Sequence, residues 1–199
     1  MLEFEEQLWN QGLTMVAGVD EVGRGCLFGD CVAAAVILPS RIRIDGVDDS
    51  KKLSKKKRDL LYDEIMRQAL AVAVACVDVE TIDRINIKQA ARLAMKRALE
   101  SLQVQPQHVL VDAETIDTAI AQQAIIHGDA RSQSIAAASI IAKVTRDRMC
   151  MKWHEEFPQY GLDRHKGYAT VLHRERILLH GITPLHRRTF LRKLMAPID

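Results

Sequence analysis

The 199-residue chain predicts an α/β fold, a mixed sheet flanked by helices with a C-terminal helical appendage. Three observations carry that expectation. Two strand-like segments come first, close enough in sequence to pair as a hairpin. Strand and helix patterns then alternate, as they do when helices cover the faces of a sheet. The last part of the chain is polar and basic, with a helical pattern only. Residues 1–160 are therefore expected to form the core and residues 161–199 an appendage of the same domain.

Thr14 to Asp20 is the first strand, apolar until it meets the adjacent acids Asp20 and Glu21. After a Gly-rich turn, Asp30 to Leu38 is the second, a run of small and β-branched residues closed by Pro39. The polar stretch from Arg41 to Lys57 contains Ser54, which can cap a helix from Lys55 to about Ala69. Ala71 to Val79 is the third strand. Ile82 to Leu102 reads as one helix, with Ile87, Ala90, Ala91, Ala94, Met95, Ala98 and Leu99 on one face and Pro106 beyond its end. His108 to Asp112 and Ala124 to Asp129 are short apolar strands, each ending in a carboxylate. Ser134 to about Phe157 is a long helix whose alanines permit close packing, stopped at Pro158-Gln159-Tyr160-Gly161. A last helix runs from about Tyr168 to His180, and a polar tail follows.

Composition sets the class. An apolar fraction of 48% and a charged fraction of 27% belong to an ordinary globule able to bury a full core. The acidic N-terminus lacks the pattern of a signal peptide, and the longest apolar run, Cys31 to Leu38, is too short to span a bilayer. A cytoplasmic protein without a membrane partner is expected. Cys26, Cys31, Cys76 and Cys150 form no CxxC pair and read as reduced thiols. Charge is uneven: residues 131–199 hold 13 Lys/Arg against 6 Asp/Glu, while residues 1–130 hold 15 against 20. An acidic part suited to cations precedes a basic part suited to a polyanion.

The chemistry is concentrated at strand ends. Asp20 and Glu21, Asp112 and Asp129 close three separate strands, and neighbouring strand ends can converge on one sheet edge. A single acid there is usually a turn residue or a helix cap. Four together, without a Cys- or His-rich pattern, suit hard cations, Mg²⁺ or Mn²⁺. Two such ions can activate a water and stabilise the leaving oxygen of a phosphodiester. Gly23-Arg24-Gly25 adds a turn that a ligand can approach closely, with a guanidinium suited to phosphate. Arg131 precedes the helix start at Ser134, where free N–H groups suit an anion. Asp147 reads as an ion pair on a helix face with a basic neighbour such as Lys143. Tyr168, in His165-Lys166-Gly167-Tyr168, can stack on a sugar or base, or simply pack at a helix start. Lys51, Arg131, Lys143, Arg146 and Lys166 are candidate phosphate contacts.

These motifs resemble ribonuclease HII. The resemblance rests on Gly18 to Gly25, Val32 to Leu38, Asp49 to Ser54, Val111-Asp112, Gly128 to Ser132, Ser134 to Asp147 and His165 to Tyr168, in the family's order. It implies a ribonuclease H-like fold in which the core is catalytic and the appendage binds substrate. It also implies metal-dependent cleavage of RNA in RNA–DNA hybrids, and incision at single ribonucleotides embedded in duplex DNA. The family's catalytic and metal-holding acids fall on Asp20, Glu21, Asp112 and Asp129, its ribonucleotide-sensing turn on Gly23, Arg24 and Gly25, and its tyrosine on Tyr168. The chain departs from the usual pattern at His127, where Lys is common, at Ala113, where Gly is common, and at Ala169; Cys26, Phe28 and Asp30 also differ. A monomer is the default expectation. Ribonuclease HIII shares the core but carries an added N-terminal domain, for which a first strand at residue 14 leaves no room. A non-catalytic nucleic-acid-binding module is a different class of answer, and it gives clustered acids no purpose, because they repel phosphate without a metal.

Overall fold

The computed structural model describes residues 1–192 and Leu194. Its sheet has five strands in the order β3-β2-β1-β4-β5. These are β1 (Val16–Val22), β2 (Cys31–Ile37), β3 (Ala71–Val77), β4 (His108–Asp112) and β5 (Gln122–Ile125). The first three form an antiparallel meander, while β4 and β5 join parallel to β1. The sheet is mixed and flanked by helices, as the sequence predicts.

Helices α1 (Glu3–Asn10), α2 (Lys55–Gln68), α3 (Val79–Ile85), α4 (Ile87–Glu100) and α5 (Gln133–Glu156) belong to the core. α4 lays Ala90, Ala91, Ala94, Met95 and Ala98 on one face of the sheet, against Ala17, Val19, Ala33 and Ala35. α5 covers the other face with its Ala136 to Ala142 segment, packing on Ala34 and Val36 and against Leu61 and Ile65 of α2. β2 is buried along its whole length because both of its faces are covered. α6 (Leu162–His165), α7 (Val171–His180) and α8 (Arg188–Leu191) form the C-terminal part. It closes around Phe28, Tyr160, Leu162 and Ile177. The end of the expected polar tail lies outside the described residues.

Three expected elements are corrected. The helix read from Ile82 to Leu102 is two helices. Asn86 adopts φ 66°, a region Asn tolerates better than most residues, and its side chain caps α4 by accepting from Lys88 and Gln89 N–H. The strand read from Ala124 to Asp129 stops at Ile125, because His127 turns the chain with φ 55°. Asp129 therefore sits in a short 3-10 turn, Gly128–Ala130, and not on a strand. The last long helix starts at Val171, capped by Thr170, so Tyr168 stays outside it. α1 has no counterpart in the sequence reading. It is held by Glu5, which is buried and accepts from Ser132 Oγ at 2.6 Å and Ser134 N at 2.9 Å, at the start of α5. An acid there complements the positive end of a helix.

The C-terminal part is expected to lose stability in acid. His173 and His186 are 0% and 1% exposed, and burial, helped for each by a neighbouring histidine, pulls both down to about 4. An unfolded histidine titrates near 6.5. As pH falls through that value the unfolded chain takes up protons that the folded one refuses, so stability is full above about 6.5 and is lost toward 4. Each imidazole contributes on the order of 3 kcal/mol to that slope. Urea unfolding between pH 7 and 4 is expected to show a shallower acid loss in His186→Gln than in the unsubstituted chain. Equal slopes would show that these imidazoles do not drive it.

Candidate active site

β1 and β4 run in parallel register from Val16 opposite His108 to Val19 opposite Val111. One residue further, Asp20 comes beside Asp112, which ends β4, whereas β1 runs two residues beyond its expected end at Asp20, to Val22. Alternation puts Asp20 on the same face of β1 as Gly18, toward α5, and sends Glu21 to the other face. Gly18 sets the spacing. A Cβ there would lie 2.0 Å from the Ser134 carbonyl carbon, so only glycine lets the first turn of α5 rest on the strand. That contact brings Ser139 close to Asp20. Asp129 enters from the 3-10 turn, which is tied to Asp112 by Gly128 N–H donating to Oδ1 at 2.7 Å.

The carboxylates feel one another. Burial, then Glu21 and Asp112, push Asp20 well above the usual carboxylate range, against the nearby Ser139 hydroxyl and the Glu21 N–H, which donates to Oδ1 at 2.7 Å. Burial also raises Glu21, opposed by Arg24, whose Nη1 lies 3.1 Å from Oε1. Asp112 is raised by burial and by the charge of Asp129, with Gly128 N–H opposing. Lys51 reaches Asp129 with Nζ 3.2 Å from Oδ2. Partial burial pulls its ammonium down, but Asp129, Asp20 and Asp49 outweigh that and hold it above its ordinary value.

The donor set fits a hard divalent cation. It is all carboxylate oxygen, it is self-repelling, and Glu21 Oε2 is buried without a hydrogen-bond partner. Among the described residues no three His, Cys, Asp or Glu side chains close into a chelating cage. Arg24 and Lys51 each take one of the acids instead.

The substrate-facing candidates divide into two groups. Gly23 turns the chain after β1 with φ 94°, and Gly25 is exposed. Cys26 forms an isolated bridge with Tyr168, and Leu27 N–H donates to Gly167 O at 2.8 Å, so the tyrosine lies beside the turn, 40% exposed. Lys166 lines a groove with Lys55, Arg58, Arg148 and Met151. Lys143 is engaged with Asp147, the ion pair expected from sequence. Arg131 lies over the Phe4 ring, 4.9 Å from its centroid. Arg146 is the clear correction. Expected as a phosphate contact, it is 1% exposed and donates to the carbonyls of Phe28, Asp30 and Lys166.

Some site residues were not singled out from sequence. Ser50 Oγ lies 2.9 Å from Ser139 Oγ and so extends the polar chain behind Asp20. Glu114 takes Arg92 at 2.8 Å and Arg24 at 3.7 Å. Arg187 supports the turn from beneath. Pairing across such distances leaves no local pattern to read. Ala113, where the resembled family usually has glycine, adopts φ 51°, a region glycine enters without strain.

A family profile described as Ribonuclease HII matches residues 17–193. The chain belongs to the ribonuclease HII family. Ribonuclease HII of Alkaliphilus metalliredigens (strain QYMF) is 56% identical, with 98% of each chain covered. That of Alkaliphilus oremlandii (strain OhILAs) is 52% identical with the same coverage. The crystal structure of ribonuclease H2 from Pyrococcus horikoshii OT3 superposes with a TM-score of 0.78 at 29% identity, over 90% of this chain and 96% of that one. Membership in the ribonuclease HII family makes the chain a type 2 ribonuclease H, a hydrolase acting on RNA paired with DNA. Among the described residues no helix is long and apolar enough to cross a membrane.

Proposed function

We propose that this ribonuclease cleaves the RNA strand of RNA–DNA hybrids and also incises duplex DNA at a single embedded ribonucleotide. The observation that carries this reading is the bridge between Cys26 and Tyr168, which sets the Gly23-Arg24-Gly25 turn and an exposed tyrosine side by side next to the acids. A backbone turn can read one 2′-hydroxyl, the group that separates RNA from DNA at a given position. Tyr168 stacks on that sugar or the next, so the strand can continue as DNA. Asp20, Glu21, Asp112 and Asp129 would hold two divalent ions of the Mg²⁺ or Mn²⁺ class. When bound, these supply activation of the attacking water and charge stabilisation at the leaving oxygen.

The chain's own residues do the rest. The Glu21 N–H holds the Asp20 carboxylate in place, with the Ser139 hydroxyl close by. Lys51, beside Asp129, is placed to take a phosphate oxygen, and the 161–199 appendage with Lys166 supports the duplex backbone. Attack at phosphorus breaks the bond to the 3′ oxygen and leaves 3′-hydroxyl and 5′-phosphate ends. The protein is taken to act as a monomer.

The test is a duplex carrying one ribonucleotide, incubated with and without Mg²⁺ or Mn²⁺, with the cut mapped. A single metal-dependent incision at the ribonucleotide, leaving those ends, is expected. Cleavage of long hybrids with no cut at the lone ribonucleotide would remove the incision reading and leave only hybrid hydrolysis.

A further inference from the structure

Two arginines are buried beneath the Gly23-Arg24-Gly25 turn, Arg146 at 1% exposure and Arg187 at 0%. Among the described residues neither pairs with a carboxylate. Their donors go to the backbone instead. Arg187 Nη1 lies 2.7 Å from Gly23 O and 3.1 Å from Arg24 O, while Nε and Nη2 close on Gly29 O at 2.9 and 2.7 Å. Arg146 donates to Phe28 O at 2.8 Å, Asp30 O at 3.0 Å and Lys166 O at 2.8 Å. Its side chain also fills the space above Gly23, where a Cβ would meet Nε at 2.4 Å.

A buried guanidinium without an anion is costly to desolvate, and a packed apolar side chain often serves stability better. The geometry shows what the charge does here. A trans peptide points its C=O and N–H in opposite directions. With the carbonyls of Gly23 and Arg24 drawn inward onto Arg187, the N–H groups of Arg24 and Gly25 face outward. Among the described residues neither N–H finds an acceptor. A charged donor on each carbonyl also polarises the peptide and strengthens the N–H at its far end.

We infer that Arg187, braced by Arg146, is a positioning residue for ribonucleotide recognition: it fixes two backbone N–H donors of the turn outward, toward the 2′-hydroxyl of the substrate. This rests on the proposed reading of the turn. Arg187 does not touch substrate and acts only through the peptides of residues 23 to 25. A lysine in its place keeps a charge but cannot fork across Gly23, Arg24 and Gly29.

The test measures Kd in Ca²⁺ for two duplexes that differ only in one 2′-hydroxyl, using the unsubstituted chain, Arg187→Lys and Arg187→Met. The unsubstituted chain is expected to prefer the ribonucleotide duplex. Both variants are expected to lose that preference by about tenfold or more, the weight of roughly one well-placed donor, while affinity for the all-deoxy duplex changes by less than about threefold. A merely structural role would weaken both duplexes alike. No preference in the unsubstituted chain would remove the 2′-hydroxyl reading of the turn, and this inference with it. Preference kept in a folded Arg187→Lys or Arg187→Met would overturn this inference alone. Should neither variant fold, ¹⁵N relaxation of the free protein decides: the Arg24 and Gly25 amides are expected to be rigid, with S² of about 0.85, and values below about 0.6 would show that Arg187 does not fix them.

Discussion

Asp20→Asn is expected to abolish cleavage and, at the same time, to stabilise the fold. Asp20 is 5% exposed, and burial plus the charges of Glu21 and Asp112 oppose its ionisation. A raised carboxyl favours the folded state at low pH and loses that advantage as pH rises through its folded value, so at neutral pH the ionised group works against folding. Asparagine keeps an oxygen for Glu21 N–H, and it removes the charge. A gain of about 1 kcal/mol at pH 7 is therefore expected, shrinking toward pH 4 where the acid is already neutral. The same change removes a carboxylate proposed to hold a cation, for which a loss of about 10³-fold or more in cleavage is expected. Duplex binding in Ca²⁺ should persist. Thermal melts at both pH values and single-turnover cleavage check the pair of effects. Full Mg²⁺-dependent turnover by this variant would refute the assignment of Asp20.

Gly18→Ala is expected to be the most damaging single methyl group in the core. The new Cβ would lie 2.0 Å from Ser134 C, 2.1 Å from Ser134 O and 2.4 Å from Ile135 N. All three are backbone atoms at the start of a 24-residue helix, so no side-chain rotation relieves the clash. α5 would have to lift from β1, carrying Ser139 away from Asp20. A loss above about 3 kcal/mol is expected, a large share of the 5–15 kcal/mol typical of a domain. In a chain of this length that lowers Tm by roughly 6–12 °C. Gly25→Ala is the control, because its Cβ would meet nothing within 4 Å. Equal melting temperatures for Gly18→Ala and the unsubstituted chain would contradict the contact.

The sheet and its order of elements were legible because each strand announces itself locally. Cys31 to Ile37 is apolar on both faces, and Ala90 to Leu99 repeats with helical spacing. The four acids were legible for a related reason: each follows directly on an apolar run or a turn signal. Asp129 shows the limit of that reasoning. Its strand seemed to continue because Ile126 is apolar, yet Ile126 is 68% exposed and His127 turns the chain. The basic residues were the least legible part. Charge alone cannot separate Lys51, which reaches Asp129, from Arg146, which is used up on carbonyls. That distinction depends on what the chain brings against each side chain from far along the sequence, 78 positions for Lys51 and up to 118 for Arg146.

The bond from Arg187 to Gly23 spans 164 residues. During synthesis the carboxylates of β1 leave the ribosome well before the guanidinium that holds the neighbouring carbonyls. A nascent chain that has not yet released Arg187 cannot set those amides, so the turn takes its final shape only after the strands beside it have been made.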